Sequence, residues 1–317
     1  VFFALYVPAS YDSDPSAARQ YAGRLLEGVV RSIGEDKGAV LTTSVEQALA
    51  NKAEGRLSVF LGLENGSAIG DSLDELRRFY DAGVRYVTLC HTGNNQICDS
   101  CATGEKLWNG LSPFGREVVA EMNRLGMMVD VSHISDDAFY DVIKCSSRPV
   151  VATHSCCRAL PDHPRNLTHD MIRSIAEKNG VVQVNFYPLF LDSGFGAVLD
   201  GSGIAERGEA VENEFIADPA DPKKREAWHI VQDELKSLPR PSYRRIVDHI
   251  DHIVDLVGID YVGLGSDFDG IAVTPEGLED VSGFSLVLDE MRERGYTESD
   301  IEKVASGNFF RVMNMQQ

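Results

Sequence analysis

The chain has 317 residues, of which 43% are hydrophobic and 25% charged, with 28 Gly and 12 Pro. That is the composition of a folded protein with a sizeable core, and it excludes disordered, collagenous and low-complexity chains. A formal charge of −19 repels phosphate backbones and anionic lipid, which argues against nucleic-acid partners. No apolar run reaches the about 18 residues of a transmembrane span.

Short apolar runs alternate with amphipathic stretches. Phe2–Val7 lacks a basic start, so it reads as a buried strand rather than as part of a signal peptide. Further strands are expected at Ser58–Leu63, Tyr86–Cys90, Met127–Ser132, Val150–Thr153, Val181–Phe186 and Tyr261–Ser266. Each is short and apolar on both faces, as in a parallel sheet covered on both sides. Between them, Ser72 to Glu75 spells a capping box, followed by Leu76 and Phe79 on one face. Ser112-Pro113 opens a helix that Gly126 ends, Thr168 opens another, and Tyr243–Val257 carries a continuous apolar stripe. A last helix starts near Thr297.

Strand–helix alternation predicts an α/β fold, and the length suits a single (β/α)8 TIM-type barrel domain over residues 1–317. Residues 189–241 form an acidic insertion with one helix expected around Lys223–Leu238, read as a lid or interface element. The six cysteines are too few for a disulfide framework, and most read as small buried or loop residues. Cys98 and Cys101 form a lone CxxC, for which a redox pair or disulfide is the other reading.

The strand ends carry the chemistry. Glu64, His91, His133, His154 and Asp267 each follow a predicted strand, with Asp269 beside the last. In a (β/α)8 barrel the carboxyl ends of all strands open on one face. A single histidine or acid there is commonly structural, but five at equivalent positions point to a site. Imidazoles and carboxylates without thiolate suit zinc or a similar ion, which acidifies water. The expected reaction class is metal-assisted hydrolysis of an amide or ester, with Asp267 moving the proton. His163, His169, His229 and His252 lack such positions and read as surface or loop residues, while His249 lies in a helix as a cap or support.

The stretches LGLENG, VTLCHTGNN, GLSPFGREVVAEMNRLGMMVDVSH, VVATHS, HPRNLTHDMIRSIAEKNGVVQVNFYP, VGLGSDFDG and GNFFRV resemble the membrane (renal) dipeptidase family of zinc peptidases. The resemblance covers nearly the whole chain apart from the insertion. It implies a binuclear zinc centre in which Glu64 bridges and His133 and His154 hold the second ion. It also implies that His91 polarises the scissile carbonyl, Arg165 clamps the substrate's terminal carboxylate and Asp267 shuttles the proton. A dipeptide substrate attacked by metal-bound hydroxide, tolerance of a C-terminal D-residue, some β-lactam hydrolysis and a homodimer are implied as well. The chain departs from the family at one point. The family's first strand carries a His-x-Asp pair for the first zinc, and the only such triplet here, His249-Ile250-Asp251, lies on a predicted helix. Seven strands are read where a closed barrel has eight, and the one unaccounted for is the strand that carries this pair. A barrel that lost catalysis and acts as a binding protein is therefore the alternative. Another amide or phosphoester hydrolase on the same barrel is a third reading. The sequence leaves the cellular compartment open.

Overall fold

The computed structural model describes residues 1–316. Its strands among these residues are β1 (Phe2–Tyr6), β2 (Ala39–Leu41), β3 (Leu57–Glu64), β4 (Val84–Thr88), β5 (Met128–Asp130), β6 (Val150–Ala152), β7 (Val181–Asn185) and β8 (Val262–Gly265). The seven runs read from the sequence are all strands. The additional one, β2, is three residues long and too short to register as a pattern. It contains neither His nor Asp, so it does not supply the missing pair.

The chain divides into two compact units. The first comprises residues 1–153, 170–182 and 306–317. Its strands run parallel in the order β1-β3-β4-β5-β6-β7, and β3 takes β2 beside its first three residues. Parallel neighbours need a crossover, which helices such as Leu73–Asp81 and Pro113–Leu125 supply. Ser112 caps the second of these by accepting from Gly115 N, and Gly126 closes it in the left-handed conformation. The capping box expected at Ser72 does not form, because Ser72 makes no side-chain cap bond and Glu75 is engaged by Arg78 and Arg19. The box forms instead at Thr297, with Asp300 reciprocating, in the second unit.

One core cluster of the first unit stacks Phe60, Tyr86, Met128, Val151 and Val181 from successive strands against Phe309, Val312 and Met313. Each such side chain contributes about 1.5–3 kcal/mol on burial. Gly62 lies under the Tyr86 ring, whose Cζ would stand 2.0 Å from an added Cβ. Only glycine lets β3 and that ring meet.

The second unit comprises residues 154–169 and 183–305 and includes β8. The acidic insertion within it is more helical than its composition suggests. Besides Pro222–Ser237, helices span Ser193–Ser202 and Ile204–Ala217. Phe195, Ile204, Trp228, Val231 and Leu235 give these helices a small core of their own.

His249, in the helix Arg244–Val257, is fully buried. Its Nδ1 accepts from Cys157 N at 3.0 Å and its Nε2 faces Leu191 O at 3.2 Å, the pattern of a neutral ring donating through Nε2. It therefore acts as a support, and its helix makes it no substitute for a strand-end pair. Burial lowers its pKa from 6.5 to about 4. Below pH 6.5 the unfolded chain takes up this proton and the native chain does not. The contribution, about 3 kcal/mol, is fully present above pH 6.5 and is lost as pH falls towards 4. Urea unfolding between pH 7 and pH 4 should show that loss in the wild type and a flatter acid limb in His249→Gln.

Candidate metal centre

Glu64 is the last residue of β3, in register with Tyr6 on β1 and Thr88 on β4. His91 and His133 follow the ends of β4 and β5. Parallel strands share one direction, so three consecutive strand ends bring these side chains together. Ligand atoms of Glu64, His91 and His133 lie within 4.8 Å of one another. Glu64 Oε1 is 3.4 Å from His133 Nε2 and 3.9 Å from His91 Nε2. The two imidazoles sit 4.1 Å apart between centroids, and Tyr6 meets His91 edge-on at 4.8 Å. Two imidazoles and one carboxylate on converging vectors, with Glu64 and His133 buried, form a donor set suited to zinc.

The backbone is held where these residues need it. His133 adopts φ +71°, a left-handed conformation that is uncommon outside glycine. The turn before it is closed by Ser132 N donating to Asp130 Oδ1 at 3.0 Å. Ser100 Oγ lies 2.5 Å from His91 O and 3.3 Å from His133 O, so one hydroxyl spans both backbones. Asn65, wholly buried beside Glu64, donates to Val7 O at 3.0 Å and to Asp12 Oδ1 at 2.7 Å. It accepts from Ser67 N and from Asn95 Nδ2. Asn95 continues the net to Leu89 O and to the amides of Ile97 and Cys98. The ends of β1, β3 and β4 are thus tied through two amide side chains. Burial pushes the Asp12 carboxyl up to about 6, against the hydrogen bond from Asn65 that favours its charged form. Sequence reading missed Asn65, Asn95 and Ser100. Asn65 stood inside the LGLENG stretch, but nothing in its type announced a buried hub.

The remaining expected site residues belong to the second unit. His154 and Arg165 are both buried, at 6% exposure. Arg165 donates through Nη2 to His154 O at 2.9 Å and through Nη1 to Ser155 Oγ at 3.0 Å. Its guanidinium lies 5.5 Å over the Phe190 ring. Its Nε is buried without a partner, and no carboxylate of the described residues pairs with it. A buried cation without an anion is costly unless a bound one completes it. Asp267 follows β8 at φ +58° and accepts from Asn185 Nδ2 at 3.0 Å. A Cβ on Gly270 would stand 2.4 Å from Asp267 Oδ1, so any larger residue there would push the carboxylate aside.

All six cysteines are free thiols. Cys98 is buried and Cys101 half-buried, and no disulfide joins them. Burial drives the Cys90 and Cys156 thiols well above their usual range, which makes them inert. His229 and His169 are exposed, and His169 pairs with His252 through Nε2 at 2.9 Å.

Residues 1–317 match the family described as membrane dipeptidase, peptidase family M19. The chain belongs to this family. An uncharacterized dipeptidase of Schizosaccharomyces pombe is 34% identical over 260 residues, covering 81% of this chain and 52% of that protein. Dipeptidase aclJ of Aspergillus oryzae is 34% identical over 259 residues, covering 82% and 51%. The chain spans about half the length of these curated relatives. Among solved structures, the probable dipeptidase PvdM from Pseudomonas aeruginosa has a TM-score of 0.79 at 28% identity, covering 100% of this chain and 85% of its own. A metallo peptidase from Rhodobacter sphaeroides, liganded with a phosphinate mimic of the dipeptide L-Ala-D-Ala, has a TM-score of 0.76 at 26% identity, covering 100% and 86%. The α/β class with a TIM-type barrel, read from the strand–helix alternation, is the fold of this membrane dipeptidase family member. Among its described residues no helix is long and apolar enough to cross a membrane.

Proposed function

We propose that the chain is a zinc-dependent dipeptidase. The observation that carries the reading is the convergence of Glu64, His91 and His133 within 4.8 Å at three strand ends. A bound zinc supplies Lewis acidity and acidified water. Glu64 and His133 hold it, and the family motifs add His154 to this ligand set. His91, beside Glu64, steadies the carbonyl oxygen of the scissile bond. Asp267, oriented by Asn185, carries the proton to the leaving amine. Arg165 receives the substrate's terminal carboxylate, which supplies the anion its buried guanidinium lacks. Two zinc ions, tolerance of a C-terminal D-residue, a dimeric state, and a lid or interface role for residues 189–241 within a single barrel domain belong to the same reading. The Rhodobacter sphaeroides relative bound to an L-Ala-D-Ala mimic supports the second of these.

The purified protein should contain zinc and release free amino acids from L-Ala-L-Ala and L-Ala-D-Ala, and chelation should stop it. Zinc binding without turnover would favour the non-catalytic binding barrel instead. For the clamp, Arg165→Met should raise KM for free dipeptides by about 100-fold, and leave dipeptide amides, which lack the carboxylate, little changed. Equal loss on both substrates would sink that role.

A further inference from the structure

The first unit holds a cavity of about 240 Å³ away from the strand ends that carry Glu64, His91 and His133. It is lined at the opposite ends of the strands, where β4 and β5 begin, by Arg85, Tyr80, Ser44, Met128, Met313 and Gln316 among others. Arg85 is fixed in place. Its Nε donates to Thr43 O at 3.1 Å, and its Nη1 to Tyr80 O and Val84 O at 3.0 and 2.9 Å. Its guanidinium stacks 4.4 Å over the Tyr80 ring. Of these carbonyls only Tyr80 O belongs to the helix Leu73–Asp81, whose end Arg85 caps; the other two hold the side chain to the backbone at the start of β4 and after β2. These contacts do not account for Nη2, which has no partner, and no carboxylate of the described residues forms an ion pair with this cation. Gln316 is 2% exposed. Its Nε2 donates to Pro149 O at 2.9 Å, but its Oε1 is buried with no partner. Ser44 Oγ accepts from Gln47 N at 3.2 Å and keeps its own proton available.

The cavity thus presents a held cation with a free N–H edge, an orphan buried acceptor, a hydroxyl donor, and apolar walls from Leu125, Met128 and Met313. A buried acceptor left unpaired costs about 1–3 kcal/mol, which a ligand donor recovers. The volume is far above the roughly 15 Å³ that one water needs and below the about 300 Å³ of a drug-sized cleft. We propose that this cavity is a binding site for a small α-amino acid, with its carboxylate on Arg85 and Ser44, its ammonium on Gln316 Oε1 and its side chain against the two methionines. The site stands independently of the hydrolytic reading.

The test uses the whole chain labelled with 13C at the methionine methyls, titrated with L-alanine and L-leucine and read by NMR. Met128→Leu and Met313→Leu assign the two reporter resonances. Both should shift and saturate with a Kd of about 1 mM or tighter. Acetate and ethylamine, each carrying half of the recognition, should bind at least about tenfold more weakly. Gln316→Met should weaken the response to amino acids while keeping Arg85 and its capping bonds, and Arg85→Gln should abolish it. No movement of the two reporters with either amino acid would overturn the proposal. So would acetate acting as strongly as alanine, or an undiminished response in Gln316→Met. No turnover is read, so failure here leaves the dipeptidase reading standing, and absence of hydrolysis leaves this one standing.

Discussion

Glu64→Gln should lower kcat/KM for dipeptides by about 10³-fold or more, about 4 kcal/mol of barrier, with the fold intact. Glutamine keeps the volume of the side chain but not its charge, and Glu64 Oε1 is the atom shared by both imidazoles. Zinc content should fall in parallel, because the imidazole ligands without the carboxylate make a weaker and uncharged donor set. Circular dichroism and the unfolding midpoint should stay near wild type, since β3 keeps its register with β1 and β4. Hydrolysis at the wild-type rate would remove Glu64 from the mechanism.

The largest loss of stability should come from Asp130→Ala. This wholly buried carboxyl group ties β4, β5 and β6 together. Its Oδ2 accepts from Thr88 Oγ1 at 2.6 Å and from Thr153 Oγ1 at 2.7 Å. Its Oδ1 accepts from Ser132 N at 3.0 Å and from Thr153 N at 2.9 Å. Alanine takes an acceptor from two amides and two hydroxyls in a buried interior, at about 1–3 kcal/mol for each that finds no other partner. A loss of about 4 kcal/mol in urea unfolding is expected, a large part of the stability of an ordinary domain. Asp130→Asn should lose only about 1 kcal/mol, because its oxygen still serves both amides and the hydroxyls can turn to its NH2. Equal losses for the two variants would contradict this account. Ser132 sets the turn into His133, so Asp130→Asn should also perturb zinc affinity more than a remote core substitution of equal stability effect.

Short apolar runs between helical stretches made the sheet legible. Each of β1 and β3 to β8 is mostly apolar, and β3 to β8 are largely buried, so they read as short hydrophobic strings despite Arg85 and Gln183 within them. The ionisable residues stood at the ends of those strings, which is why Glu64, His91 and His133 could be grouped before any distance was known. What escaped was polar and interior. Asn65, Asn95 and Asp130 look in sequence like ordinary turn residues, and only the converging strand ends turn them into buried hubs. The helices Ser193–Ser202 and Ile204–Ala217 were hidden by Gly194, Gly196, Gly201 and Gly203, which lower helix propensity. Tertiary contact of Phe195 and Ile204 with Trp228 overrides that tendency. The capping signal at Ser72 misled because its glutamate found arginines nearby.

The parallel order of β3, β4 and β5 also governs when, in the proposed zinc enzyme, a metal can bind. No two of these strands can zip through a local hairpin, since a helix must be laid down between each pair. The donors of Glu64, His91 and His133 therefore converge only after long-range pairing has been completed, late in folding. An ion that recognises this finished arrangement and not the unfolded chain shifts the equilibrium by mass action. It does so mainly by holding the native state closed, so zinc should slow unfolding far more than it speeds refolding.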